Sequence, residues 1–180
     1  MFEHRKTMKR IILIGLLFLT GCVDLPEGIT PVGNFEVERY LGKWYEIARL
    51  DHRFERGLTH ISAEYSLRED GGLKVINKGY NTEYQEWDSA EGKAYFVDQP
   101  DIGRLKVSFF GPFYGGYNII ALDKENYSYA MIAGPDRDYL WILSRTPMLA
   151  PEIVERLVAQ AKELDFAVDQ LIYTEQTQTP

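Results

Sequence analysis

From Gly42 to Arg145 apolar and polar residues alternate in short runs, the period of strands with one buried face. Eight runs predict strands: Lys43–Arg53, His60–Arg68, Leu73–Asn81, Gly92–Asp98, Arg104–Phe110, Tyr117–Leu122, Ser128–Ala133 and Tyr139–Ser144. The breaks between them carry strong turn chemistry, among them Asp70-Gly71-Gly72, Gln99 to Gly103, Gly111 to Gly116, Asp123 to Tyr127 and Gly134-Pro135-Asp136. Strands joined by such short connections predict an antiparallel meander. A sheet of eight strands either closes or splits into two layers; closure removes both edges and gives an all-β, eight-stranded up-and-down barrel wide enough for one small ligand. The period changes at Pro151. Ile153, Val154, Leu157, Val158, Ala161 and Leu164 recur at spacings of three and four, opposite Glu152, Glu155, Arg156, Lys162 and Glu163. That stripe predicts one α-helix packed on the outside of the sheet. Val37–Leu41 reads as a helical turn and Leu171–Thr174 as a short last strand.

The chain opens differently. Arg5, Lys6, Lys9 and Arg10 precede an apolar run from Ile11 to Leu19, too short for a membrane span. Leu19-Thr20-Gly21-Cys22 then resembles the lipobox of bacterial lipoproteins. On this reading residues 1–21 are a signal peptide, and Cys22 becomes an acylated N-terminus, palmitate among its chains. Several acyl chains together anchor stably. Val23 rather than Asp after the cysteine points, by resemblance to known sorting rules, to the outer membrane with the domain facing the periplasm. Met8 offers an alternative start. Residues 22–34, with two Pro and two Gly, read as a tether. The barrel domain is expected over 35–175 and a frayed tail over 176–180.

Composition narrows the function. Cleavage would remove Glu3 and four basic residues, taking the 180-residue chain to 159 and its charge from −7 to −10. So acidic a protein is a poor nucleic-acid binder. One cysteine excludes internal disulfides and multi-cysteine metal sites. Gly111 to Gly116 lacks the Lys-Ser/Thr and following helix of a phosphate loop. Its Phe113-Tyr114 is unusually apolar and reads equally as an exposed patch or as rings closing one end of the barrel. His52 and His60 flank the first long loop and read as solvated loop histidines, not metal or haem ligands. Glu46 and Glu64 are candidates for inward-facing carboxylates. No catalytic set and no cofactor site emerges.

Three segments carry a family resemblance. Gly42-Lys43-Trp44-Tyr45, Asp123 to Tyr127 after Ile119-Ile120-Ala121-Leu122, and Leu143-Ser144-Arg145 resemble, in order, the three sequence regions of the lipocalins. With the lipobox, the chain is similar to the bacterial outer-membrane lipocalins, relatives of apolipoprotein D, whose disulfide cysteines it lacks. The resemblance implies that Arg145 packs over Trp44 at the barrel floor, with Gly42 beside them. It then follows from strand parity that Tyr139, Trp141 and Leu143 face inward, and Leu140, Ile142 and Ser144 outward. The family's pocket positions carry over to Tyr65, Asn77, Phe109 and Tyr117, and Val107 shares the parity of Phe109. The implied function is storage or transport of a fatty acid or lysophospholipid in envelope maintenance or stress, without catalysis. The resemblance also allows a homodimer. Two rivals are an envelope protein-interaction module using Phe113 and Tyr114, and, ranked last, a lipid-modifying enzyme.

Overall fold

The computed structural model describes residues 23–176; the expected signal peptide, Cys22 and residues 177–180 lie outside them. A single turn of helix, α1 (Val37–Tyr40), leads into the strands. These are β1 (Gly42–Arg49), β2 (Leu58–Leu67), β3 (Leu73–Asn81), β4 (Glu86–Phe96), β5 (Arg104–Phe110), β6 (Phe113–Leu122), β7 (Tyr129–Ala133) and β8 (Leu140–Ser144). Each pairs antiparallel with the next, and β1 pairs with both β2 and β8, so the barrel closes. Helix α2 (Pro151–Glu163) and a two-residue strand β9 (Ile172–Tyr173) follow.

The apolar residues divide into two cores. Trp44, Tyr65, Val75, Leu105, Ile119, Ile132 and Leu143 pack with one another inside the barrel. Leu157 and Ala161 of α2 pack instead with Ile47, Ala48, Ile120, Met131, Leu140 and Ile142 on its outer surface. The alternation expected for β8 therefore holds, with Trp141 and Leu143 inside, Leu140 and Ile142 under the helix. A bulge in β1 between Glu46 and Ala48 breaks the alternation there.

Several boundaries differ from the pattern. β1 ends at Arg49, not Arg53, because the residues after Leu50 turn into a loop that folds over one barrel end. β4 begins at Glu86, not Gly92. Residues 86–91 are exposed on both faces, so no apolar period marks them, yet their backbone pairs fully with β3. β6 begins at Phe113, leaving Gly111 and a cis-bonded Pro112 as the turn. Phe113 is 75% exposed, so its ring does not close the barrel end. Beyond the Tyr45–Ser62 pair β2 parts from β1, and the C-terminal segment fills the gap. The Thr174 N–H donates to Ile47 O (3.0 Å), the His60 N–H to Glu175 O (2.9 Å), and the Gln176 amide to Glu46 O and Ile61 O. Gln176, expected to fray, thus bridges two strands.

The residues read as a tether are, from Leu25 onward, packed against the barrel. Ile29 is buried beneath the outer core, Val32 exchanges backbone hydrogen bonds with Ile119 and Gly103, and Arg137 donates to Glu27 O (2.7 Å). Pro and Gly here serve an irregular path along a surface, not freedom from it. Gly116 makes room for that path: a Cβ there would stand 2.9 Å from Asp24 O and 3.3 Å from Asn118 Nδ2. Gly116→Ala is expected to cost about 1–3 kcal/mol through overpacking. Thermal unfolding should show the loss, and limited proteolysis should cut residues 23–31 faster.

Candidate functional site

The two barrel ends are built differently. At the closed end Gly42 turns the chain with φ +89°, a conformation that disfavours any side chain. Trp44 follows, fully buried, its indole N–H donating to Tyr40 O (2.8 Å). The Arg145 guanidinium stacks over that indole at 3.9 Å and donates to Arg39 O, Lys43 O and Tyr127 O. This is the floor that the motifs imply. The Asp123 carboxylate organises the neighbouring β6–β7 turn, accepting from the backbone N–H groups of Glu125, Asn126 and Ser128 and from the Ser128 hydroxyl. Partial burial opposes its charge, but those four donors hold its pKa below the usual carboxylate range.

Above the floor three tyrosines join. The Tyr117 hydroxyl lies 2.7 Å from that of Tyr40 and 2.8 Å from that of Tyr65. Burial pushes all three phenols upward, so they remain neutral. Three O–H donors share two mutual bonds, which leaves one donor for another group. Val107, Phe109, Tyr117 and Trp141 pack against the interior cluster but are only partly buried. Leu143 is fully inside. Asn77 shares the face of Val75, and its Oδ1 is enclosed without a hydrogen-bond partner among the described residues. Every position expected to line a pocket therefore lies on the inner face. Glu64 does not; it is exposed on the outer face of β2.

At the open end the bulge in β1 turns both Glu46 and Arg49 inward, 1% and 3% exposed. Arg49 Nη1 donates to Glu46 Oε1 (2.7 Å), Arg49 Nη2 to Glu55 O (3.1 Å), and the Thr174 hydroxyl also donates to Glu46 Oε1. The Glu55 side chain accepts from the Trp141 indole (3.0 Å) and lies 2.9 Å from His52 Nε2. His52 is buried among Phe54, Tyr139 and Trp141, not solvated as a loop residue would be. The Arg49 guanidinium thus pairs with the Glu46 carboxylate and holds the Glu55 backbone, with the Glu55 carboxylate near enough to feel its charge. Burial and the nearby Glu55 charge push Glu46 up to about 8. Burial also opposes ionisation of Glu55, but His52 and the Trp141 indole outweigh it and hold Glu55 low. At neutral pH the pair therefore carries one negative charge, on the better-solvated Glu55.

Sequence reasoning missed Tyr40, Arg49 and Glu55. Glu46 and Arg49, three apart in an apolar strand, are a signal, but strict alternation puts them on opposite faces. Only the bulge unites them. Among the described residues no group of three or more His, Cys, Asp or Glu stands where it could hold a metal ion. A shallow hollow of about 440 Å³ lies outside the barrel beside the β2–β3 turn, lined by Leu67, Arg68, Glu69, Asp70 and Lys74. Its Arg68 and Asp70 already pair at 2.8 Å, and it has no opening to the interior cluster's residues.

This architecture has known counterparts. A lipocalin-like domain profile matches residues 35–176. The outer membrane lipoprotein Blc of Vibrio cholerae is 54% identical over 166 residues, covering 92% of this chain and 96% of that protein. Its namesake from Citrobacter freundii is 60% identical over 151 residues, covering 84% and 85%. Among solved structures, insecticyanin from the tobacco hornworm Manduca sexta superposes with a TM-score of 0.67 at 20% identity, covering 86% and 88%, a likeness of fold alone. With the Trp44–Arg145 floor, the closed eight-stranded barrel and the helix docked outside it, these matches establish that the chain belongs to the lipocalin family.

Proposed function

We propose that the barrel takes up a fatty acid or lysophospholipid, acyl chain inward and polar head at the open end. As a lipocalin related to outer-membrane lipoproteins, the protein is a bacterial outer-membrane lipoprotein of a family that binds small hydrophobic ligands. The observation that supports the finer reading is the incomplete burial of inward-facing apolar side chains. Val107, Phe109, Tyr117 and Trp141 keep accessible surface although they pack against the barrel's interior cluster. The wall they form suits methylenes; Asn77 and the spare tyrosine donor supply isolated polar contacts, and Arg49 with Glu55 stands where a charged head would emerge. Acylation of Cys22 would keep this site at the membrane.

Burying about ten methylenes at ~0.8 kcal/mol each contributes ~8 kcal/mol before ordering costs, which sets micromolar affinity as the scale. The test is a tryptophan-fluorescence titration of the chain starting at residue 22 with Cys22→Ser. Lysophospholipid and a long-chain fatty acid are each added below their micelle thresholds. A saturable change at micromolar ligand is expected, lost in Trp141→Phe. A folded protein that shows no saturable change with either would defeat this reading.

A further inference from the structure

The deep end of the barrel is polar where its walls are apolar. Tyr40 packs on the floor indole of Trp44 with ring centroids 4.7 Å apart, Tyr65 lies 5.4 Å from Tyr40, and Tyr117 lies 6.1 Å from Tyr65. Their hydroxyls form a chain, Tyr40 to Tyr117 to Tyr65, with no further hydrogen-bond partner among the described residues. Three O–H groups meet in only two oxygen-to-oxygen contacts, so one donor is left over. Burial pushes all three phenols up, so the spare group stays a neutral donor.

Asn77 supplies the complementary group. It follows Val75 on the inner face of β3, and Val75 pairs with Tyr65, so Asn77 stands one inward position nearer the open end than that ring. Its partners across the ladder are Ala63 on β2 and Ala90 on β4, whose methyl groups offer no hydrogen bond. Its Oδ1 is enclosed and has no hydrogen-bond partner among the described residues. The other inward donor, the Trp141 indole N–H, is already taken by Glu55. The interior thus holds a spare donor at the floor and a spare acceptor on the wall just above it.

Those two groups decide which ligand end fits. Water in the unliganded barrel can meet both. An acyl chain that reaches the floor displaces that water, and its methyl end returns neither hydrogen bond, which loses affinity. A keto oxygen serves the tyrosine donor alone. A carboxylate or phosphate has no hydrogen for Asn77 and carries a charge that burial opposes. A hydroxyl does both, because its oxygen accepts and its hydrogen is donated.

We infer that Tyr40, Tyr65, Tyr117 and Asn77 form a polar subsite at the deep end of the barrel, which selects acyl chains carrying a hydroxyl group at or near their far end. The inference rests on the uptake of an acyl chain with its head at the open end, proposed above, and adds a preference among chains. Val107, Phe109 and Trp141 suit the methylenes between head and hydroxyl.

The test compares ω-hydroxy fatty acids of twelve, fourteen and sixteen carbons with their unsubstituted parents. A further probe is α-hydroxyhexadecanoic acid, whose hydroxyl stays beside the carboxyl group at the mouth. The protein is the chain starting at residue 22 with Cys22→Ser, and tryptophan emission reads binding. At least one ω-hydroxy acid should bind about five-fold more tightly than its parent, the scale of one hydrogen bond. The α-hydroxy acid should gain nothing over hexadecanoic acid. Replacing the three tyrosines together by Phe keeps the rings and removes every donor; it should reverse the preference, favouring the parent about ten-fold. Asn77→Leu, a single change on another element, should abolish the preference and carries the test if the triple variant does not fold. Parents that bind as tightly as every ω-hydroxy acid, or more tightly, would overturn the subsite and leave the proposed function standing. So would a preference that survives Asn77→Leu, or an equal gain for the α-hydroxy acid, which would put recognition at the mouth. If none of these acids binds, the subsite falls, and the lysophospholipid titration above decides separately on the reading beneath it.

Discussion

Arg49→Met is expected to destabilise the protein by about 3–5 kcal/mol at pH 9, the scale for removing one partner of a buried charge pair. Arg49 is ion-paired with the enclosed Glu46 carboxylate, donates to the Glu55 backbone carbonyl, and its charge favours ionisation of both acids. Without it the acids face each other across an interior where neither is well solvated. The loss should shrink towards about 1–3 kcal/mol at pH 5, where Glu46 is protonated and mainly hydrogen bonds are missing. The intact protein has the same sign. Folding raises Glu46 from 4.5 to about 8, so between those values the folded state binds the extra proton. Stability is therefore fully present below about pH 4.5 and declines as pH rises towards 8, by an amount on the order of a few kcal/mol from this group. Urea unfolding at pH 5, 7 and 9 reads both effects. Glu46→Gln should flatten the slope. The double replacement Glu46→Leu with Arg49→Met should recover much of the lost stability, since apolar residues of similar volume often replace a buried pair at little cost. A single variant with equal loss at all three pH values would show that the guanidinium acts only by packing.

Trp44→Ala should cost as much, about 3–5 kcal/mol, for another reason. The indole is wholly enclosed, packs on Tyr40 at 4.7 Å and carries Arg145 on its face. A cavity there removes the plate on which the floor is assembled. For a domain of this size the melting temperature should fall by on the order of 10 °C. Arg145→Ala loses the cation–π contact, ~0.5–2 kcal/mol, and the hydrogen bonds to three backbone carbonyls. The two changes meet at one contact, so a double-mutant cycle should give a coupling of about 0.5–2 kcal/mol. Strict additivity in calorimetric melts would mean that the stacked geometry contributes nothing.

Much of the fold is legible in the chain because closure of a meander demands the same alternation in nearly every strand. Leu140-Trp141-Ile142-Leu143 is the clearest case: four apolar residues in a row mean that both faces are covered, one by the barrel interior and one by α2. The motif residues Gly42, Trp44 and Arg145 were legible through the family resemblance, and the positive-φ turn at Gly42 and the stack of Arg145 on Trp44 give its physical reason. Asn77, Phe109 and Tyr117 could be put on the inner face by the resemblance, and Val107 and Trp141 could then be added by parity. That Tyr117 joins Tyr40 and Tyr65 could not, because Tyr40 reaches the interior from α1, an element with no strand parity at all.

Alternating polarity, turn residues and the amphipathic stretch from Pro151 determine the all-β barrel and its outer helix, since local periodicity is dictated by which face loses water. Tertiary structure alone decided the rest. The bulge in β1 is one extra residue that no pattern announces, yet it turns Glu46 and Arg49 to the same side. Pairing to β3 extended β4 through six solvent-exposed residues that have no buried face to reveal them. The path of residues 24–35 along the wall follows from small gaps at Gly103 and Gly116 and from carbonyls that accept Arg137 and the Gly103 N–H. Contacts of that kind depend on surfaces brought together from distant parts of the chain.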